Sequence, residues 1–407
     1  MLRKIIWILF FSGIFFTALF LWEPLALEDK TTGFVSLSFS GFSALFNKND
    51  FGFKKDFYQK ERLDGIDGPY IFNSRPNRIM YEVNQLNRLT NREWIPGQLI
   101  NVKVPNQDAD QFSLRLKDSF SAGHDIYTDA EKVIVISDIE GNFNGLYSFL
   151  VRNNVMDAYY NWIFGKGHLV LLGDFVDRGT AVTQVLWLIY SLESKASQQG
   201  GKVHYLLGNH ELMNLEGKAN YAMPKYIAIA QTISGSEAWD EAYRTLYSDN
   251  SELGKWLRTK NSIEKIGSYL FVHGGIHPNV IDYGMNIPLM NTLIRKSIGR
   301  NKDERTDAMN FLTGRKGILW YRGMAADYKG ENKLSPMDVE KITSHFKVEK
   351  IIVGHTLNDN ITKDYAGKLI KIDVLHGQEK YTGKTKGLLI EAGQEYSIDD
   401  IGNKIKI

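Results

Sequence analysis

Apolar and polar positions alternate singly over much of the first third of the chain. "FVSLSFS" sets Val35, Leu37 and Phe39 against Ser36, Ser38 and Ser40. "LINVKVP" does the same with Ile100, Val102 and Val104, and "FSLRLK" with Phe112, Leu114 and Leu116. A period of two predicts strands with one buried and one wet face. Turn material such as "LDGIDGP" and "NSRPN" separates them. After Glu131 the pattern changes. Short, nearly continuous apolar runs now end in polar clusters: "KVIVISD", "HLVLLGD", "KVHYLLGNH", "SYLFVHGG", "KIIVGHT" and "KLIKIDV". Stretches with helical spacing lie between several of them, including "FNGLYSFLVRNNVM" and "TAVTQVLWLIYSLESKA". Such strands alternating with helices predict a sheet covered on both faces. "GSEAWDEAYRTLYSDNSELGKWLRTKNS" reads as a largely helical insertion, and "DERTDAMNFLTGRKG" and "SPMDVEKITSHF" as later helices.

The first residues break both patterns. Arg3 and Lys4 precede an uncharged, mostly apolar run from Ile5 to Trp22, and Glu23, Glu28 and Asp29 follow it. As a helix that run is roughly 27 Å long, close to a bilayer core of about 30 Å. Its charge flanks place the rest of the chain outside the cytoplasm, on the periplasmic side in a bacterium. Residues 1–27 are therefore expected to be a membrane anchor or a cleaved signal segment. Residues 28–130 form a β-rich extension, or strands added to the main sheet. Residues 131–407 carry the chemistry.

A chain of 407 residues suffices for two or three domains, and a net charge of +2 writes in no general attraction to nucleic acid. Cysteine is absent, which excludes disulfides, thiol catalysis and sulfur-ligated zinc. Any metal would rest on oxygen and nitrogen donors. Asp138, Asp174, Asn209, His273 and His355 each follow the C-terminal end of an apolar run, where open α/β sheets gather their functional loops. These donors suit Mn, Fe, Zn or Mg. One aspartate at a strand end is ordinarily a turn or a helix cap. Five strand ends aimed at one place, with two Asp, an Arg and two Gly packed into "GDFVDRG", are not explained that way.

The motifs "SDIEGN", "GDFVDRG", "GNHELM", "HGGIHP" and "VGHT" resemble the calcineurin-like metallophosphoesterases, and within them the phosphoprotein-phosphatase branch. "GNHELMNLEGKANY" and "LWYRG" are similar to the bacterial Shewanella-like phosphatases. The resemblance spans about residues 131 to 375. It implies a four-layer αββα sandwich of two mixed sheets, and a centre of two divalent ions, Mn or Fe favoured, with a bridging hydroxide. Asp174 would bridge the ions and Asp138 would join it on the first. Asn209, His273 and His355 would complete the second. His210 would be the general acid, oriented by Asp177. Arg178 and Arg322 would grip the phosphate, and Glu211 would brace the loop. The implied activity is hydrolysis of phosphate monoesters on Ser, Thr or Tyr of proteins or peptides. A small-molecule or nucleotide phosphoesterase outside the cytoplasm is the alternative, as is a non-hydrolytic phosphate-binding relative.

One position departs from the pattern. Where the family has His in D-x-H, this chain has Glu140. A carboxylate there can ligate the first ion, act through a water, or mark its loss, and the extra negative charge favours Mn, Fe or Mg over Zn. His376 could supply an imidazole instead but reads as a loop residue, and Asp373 reads as structural. His124, His168, His204, His277 and His345 have no motif around them.

Overall fold

The structure is a computed structural model. It describes residues 25–29, 34–40, 52–58 and 63–407, apart from 75, 76, 129 and 331. The Ile5–Trp22 run on which the anchor expectation rests lies outside the described residues. Among those described, no helix is long and apolar enough to cross a membrane.

The alternating third of the chain forms small antiparallel sheets. Strands β1 (Leu25–Asp29), β2 (Phe34–Ser40) and β3 (Gly52–Tyr58) make one. β4 (Asp67–Ser74), β5 (Asn77–Val83) and β6 (Leu89–Trp94) make a second, and β7 (Ile100–Lys103) pairs with β8 (Gln111–Leu114). Burial in the last pair follows the predicted period: Ile100, Val102, Phe112 and Leu114 are buried, and the residues between them are exposed.

The later runs build two six-stranded mixed sheets. β9 (Ile126–Tyr127), β10 (Lys132–Ile136), β11 (His168–Leu171), β12 (Lys202–Tyr205), β13 (Ile263–Ile266), β14 (Tyr269–Val272), β15 (Lys350–Val353), β16 (Thr362–Asp364), β17 (Leu369–Lys371), β18 (Lys386–Glu391), β19 (Gln394–Asp399) and β20 (Lys404–Lys406) divide between them. The first sheet runs β12-β11-β10-β18-β19-β20 and the second β16-β17-β15-β14-β13-β9. In the first, β10, β11 and β12 are parallel; in the second, β14, β15 and β17 are.

The helices are α1 (Phe143–Arg152), α2 (Val182–Gln198), α3 (Asn209–Leu215), α4 (Pro224–Ser234), α5 (Trp239–Leu246), α6 (Glu252–Leu257), α7 (Asn279–Asp282), α8 (Ile287–Ser297), α9 (Asp307–Thr313) and α10 (Pro336–Phe346). Alternate residues of each strand enter different cores. Val133, Val135 and Val170 of the first sheet meet Phe271, Ile352 and Ile370 of the second in a core between the sheets. Ile134, Ile136, Leu169 and Leu171 face outward onto α1 and α2. Leu270, Val272, Ile351 and Val353 face outward onto α8 and α10. This is why the strands read as continuous apolar runs: both faces are dry.

From β4 onward the extension is not hung on a linker. Tyr70, Ile71, Val102 and Phe112 share a core with α1 and α2, and β9 pairs in parallel with β13 at the edge of the second sheet. Trp187 Nε1 donates to the Pro69 carbonyl at 2.9 Å. Asp67 and Lys225, both fully buried, form an ion pair at 2.5 Å, and Lys225 also donates to the carbonyl of Thr180. Thr180 ends the "GDFVDRGT" loop, so the extension buttresses the loop that carries Arg178.

Candidate metal centre

The strands that end in polar clusters bring their side chains to one cavity of about 850 Å³, lined among others by Asp138, Asp174, Asn209, His210, Arg178, Arg322 and His355, with His273 fully buried beneath it. The loops are locked to one another. Asp138 N donates to the Gly173 carbonyl at 3.0 Å, Glu140 N to Asp174 at 2.9 Å, and Gly354 N to His273 at 2.8 Å. Gly173 is required where it stands: at φ +84° its missing side chain would fall 2.6 Å from the backbone of Gly208. Six candidate residues also hold positive φ: Asp138, Glu140, Asp174, Asp177, Arg178 and His355, between 50° and 69°. Such conformations cost of order 1 kcal/mol or more each and persist where the surroundings fix them, typically at functional sites.

Asp174, His273 and His355 form the tightest donor group, each with a ligand atom within 4.8 Å of the others. His273 Nδ1 lies 2.7 Å from the Leu172 carbonyl and His355 Nε2 lies 3.2 Å from that of Trp320. Those nitrogens therefore carry the protons, and the bare nitrogens face inward. Donation of the outer N–H to a carbonyl is the habit of metal-bound histidine. The end of the Asn209 amide lies 2.9 Å from His355 Nδ1, 3.0 Å from His273 Nε2 and 3.2 Å from Asp174 Oδ2. With its oxygen turned in, four electron-rich atoms converge, an arrangement that a cation between them would stabilise. Charge gives the same reading. Burial opposes a charge on His273, yet Asp174 and Asp138 push its pKa up to about 10. The carboxylates demand positive charge, and the donor set fits a divalent ion.

Beside this group His210 Nδ1 meets Asp177 Oδ2 at 2.7 Å, while Nε2 points back toward Asp174 Oδ2 at 3.8 Å. Burial works against protonating His210, but Asp174 and Asp177 outweigh it and raise its pKa. Glu211 is fully buried. Its carboxylate accepts from Asp174 N at 2.8 Å, Phe175 N at 2.7 Å, Gly208 N at 2.7 Å and the Tyr205 hydroxyl at 2.9 Å. It ties two ligand loops together, as a brace would. Arg178 lies over the ring of Tyr221, which also packs on His210 with centroids 4.9 Å apart. Tyr221 carried no signal in the sequence beyond its place in "GKANY". Arg322 lines the cavity and donates to the His355 carbonyl and, at 3.3 Å, to Thr356 Oγ1. It therefore holds a ligand loop as well as facing the cavity.

The first-ion side is arranged differently from the sequence expectation. Asp138 Oδ2 accepts from His355 N at 3.1 Å. Glu140, expected on the first ion, lines the same cavity but is not in the converging donor group and pairs with the guanidinium of Arg178. The physical reason is its left-handed backbone together with a cation in reach. Asp373, expected to be structural, is buried and lines the cavity. Burial and then Asp138 push its carboxyl up to about 9. His376 donates from Nε2 to the Ser137 carbonyl at 2.8 Å. Of the histidines without motifs, His204 is buried between Glu264 at 2.6 Å and His168 at 3.0 Å, on strands β12 and β11 and away from the donor group.

Comparison with known proteins agrees with this geometry. Over 84% of its length the chain superposes, with a TM-score of 0.73 and 30% identity, on 99% of a crystallised cold-active protein-tyrosine phosphatase from a psychrophilic Shewanella. It is 27% identical over 226 residues to Shewanella-like protein phosphatase 1 of Plasmodium berghei, a match covering 55% of this chain and 61% of that one. It is 24% identical over 281 residues to Shewanella-like protein phosphatase 2 of Arabidopsis thaliana, covering 60% and 71%. The calcineurin-like phosphoesterase profile matches residues 131–359, and the chain belongs to that family.

Proposed function

We propose that this chain is a metal-dependent phosphomonoesterase acting on phosphorylated protein side chains. The observation that carries the reading is the convergence of Asp174, Asn209, His273 and His355 beside a His210–Asp177 pair. Bound there, divalent ions supply Lewis acidity toward phosphate oxygens and acidify a coordinated water. The chain's own groups do the rest. Asp177 holds the His210 ring by Nδ1 and favours its protonated form, so Nε2 is the proton donor for the departing ester oxygen. Arg178 reaches the cavity on a loop fixed by its own N–H to the Tyr221 carbonyl at 3.0 Å. Its planar fork suits a phosphate better than an ammonium would. Binding alone needs no such acid, which favours turnover over a phosphate-binding role.

The cavity is wide, and Tyr221 offers an aromatic wall beside His210, which suits an aryl ester. The name of the protein-tyrosine phosphatase points the same way, and those of the two protein phosphatases support a protein substrate. Phosphotyrosine peptides are thus the preferred substrate. Release of phosphate from matched pTyr, pSer and pThr peptides with Mn, Mg, Fe or Zn, with and without chelator, tests this. Chelator-sensitive turnover, greatest on pTyr, is expected. A folded protein inert with every metal would overturn the reading. Placement outside the cytoplasm through residues 1–27 belongs to the proposal too. It rests on their charge flanks alone, and protease protection in intact cells of a tagged protein tests it.

A further inference from the structure

Six apolar runs after residue 131 end in polar residues, and the motifs account for five. The sixth, β17, lies parallel to β15 with Ile351 opposite Leu369, Ile352 opposite Ile370 and Val353 opposite Lys371. Beyond the strand ends Ile372 N still donates to the Val353 carbonyl, and the two chains then pair again two residues out of step, with Asn358 opposite Val374 and Asn358 N donating to the Asp373 carbonyl, both bonds at 2.9 Å. Asp373 is thereby held beside the segment that follows His355. Asp373 is 6% exposed and lines the same cavity as Asp138 and Asp174. Its carboxylate makes no hydrogen bond or ion pair with the described residues. Of the charges acting on it, that of Asp138 is the strongest, followed by His273 with the opposite sign, then Asp174 and, again opposing, Arg322. A buried carboxylate without a donor, on one cavity wall with two more acids, is costly unless positive charge offsets it, although the three are gathered less tightly than Asp174, His273 and His355. Glu140 meanwhile is engaged by Arg178.

Resting on the phosphoesterase reading above, we infer that Asp373 takes the place of the missing histidine and holds the first ion with Asp138 and Asp174, while Glu140 serves Arg178 instead. The first ion then has carboxylates alone from the protein and fills its remaining positions with water, a hard site suited to Mn or Mg. The second keeps its two imidazoles. The centre is thus asymmetric in chemistry, with three carboxylates on one side and nitrogen on the other.

The test is metal content. Protein saturated with Mn and freed of excess is counted by inductively coupled plasma mass spectrometry, and electron paramagnetic resonance reports whether two Mn ions are spin-coupled. Wild type is expected to hold two ions per chain with a coupled spectrum. Asp373→Asn, nearly isosteric, should hold one, with the six-line spectrum of an isolated ion. Asp373→Glu should regain the second at weaker affinity, and Glu140→Gln should keep both. Thermal melting of the metal-free variants controls for folding. Two coupled ions in Asp373→Asn, or loss of one in Glu140→Gln, overturns this inference and leaves the phosphoesterase reading standing. Wild type holding a single ion also overturns it. Wild type holding none would sink the proposed function itself.

Discussion

The two halves of the candidate centre are built on opposite principles. Around His273 and His355 each donor is fixed twice, by its strand end and by a carbonyl that takes its outer proton. Around Asp138 the carboxylate is held by the His355 N–H with the neighbouring Ser137 beside it, and the acid expected to close the ring has turned to an arginine. The difference teaches that a residue's place in a motif fixes where its backbone stands, and its neighbours fix where its side chain goes. The imidazole half is rigid and its ligands are named by spacing. The carboxylate half depends on which acid is left without a partner.

On the proposed reading Asp174 serves both halves, so its loss should have the largest effect. Asp174→Asn is expected to cut kcat/KM by roughly ten-thousand-fold or more, about 5.5 kcal/mol. Metal counting should show both ions weakened; an active, metal-replete Asp174→Asn protein would break the shared-ligand picture. Next comes His210→Ala, with an expected loss of about a hundred- to a thousandfold in kcat on a peptide ester. The direction of its pKa adds a sharper check. Because Asp174 and Asp177 raise it, the proton stays on past the ordinary histidine value of about 6.5. Activity should therefore fall only as pH rises through that higher value, and His210→Ala should lose this alkaline limb.

Glu211 spans the loops of Asp174 and Asn209 without touching the cavity's centre. Glu211→Gln should weaken metal affinity by about ten- to a hundredfold, the usual size for a ligand-supporting contact. Isothermal titration with Mn measures it, and an unchanged affinity would separate the brace from the centre. The smallest effect belongs to Glu140. Its pair with Arg178 is partly exposed, 25% and 49%, and such pairs contribute at most about 1 kcal/mol. Glu140→Gln should free the guanidinium and tighten inhibition by inorganic phosphate about two- to fivefold, with metal content unchanged.

Much of the fold was legible. The apolar runs at 132–136, 168–171, 202–205, 269–272 and 350–353 became strands, because residues buried on both faces write an unbroken apolar word. The insertion predicted as helical holds α5 and α6, divided where Ser251 caps the second by accepting from Gly254 N. Strand β9 went unread because two residues carry no periodicity, and its partner lies far along the chain. The close union of extension and body was also unreadable. Asp67 and Lys225 are separated by most of two sheets in sequence, and a single charge in each gives no hint that they pair.

The sequence by itself determined the donor types and their arrival at strand ends, because residue chemistry and period are local properties. It also named Asp174, Asn209, His273 and His355, which the structure brings together and whose places are set by the short glycine turns next to them. Only the tertiary structure separated Glu140 from Asp373, pairing the first with Arg178 and burying the second on the cavity wall. That separation turns on a guanidinium brought to one acid and a strand pairing that carries the other to the cavity, and both are contacts between distant parts of the chain.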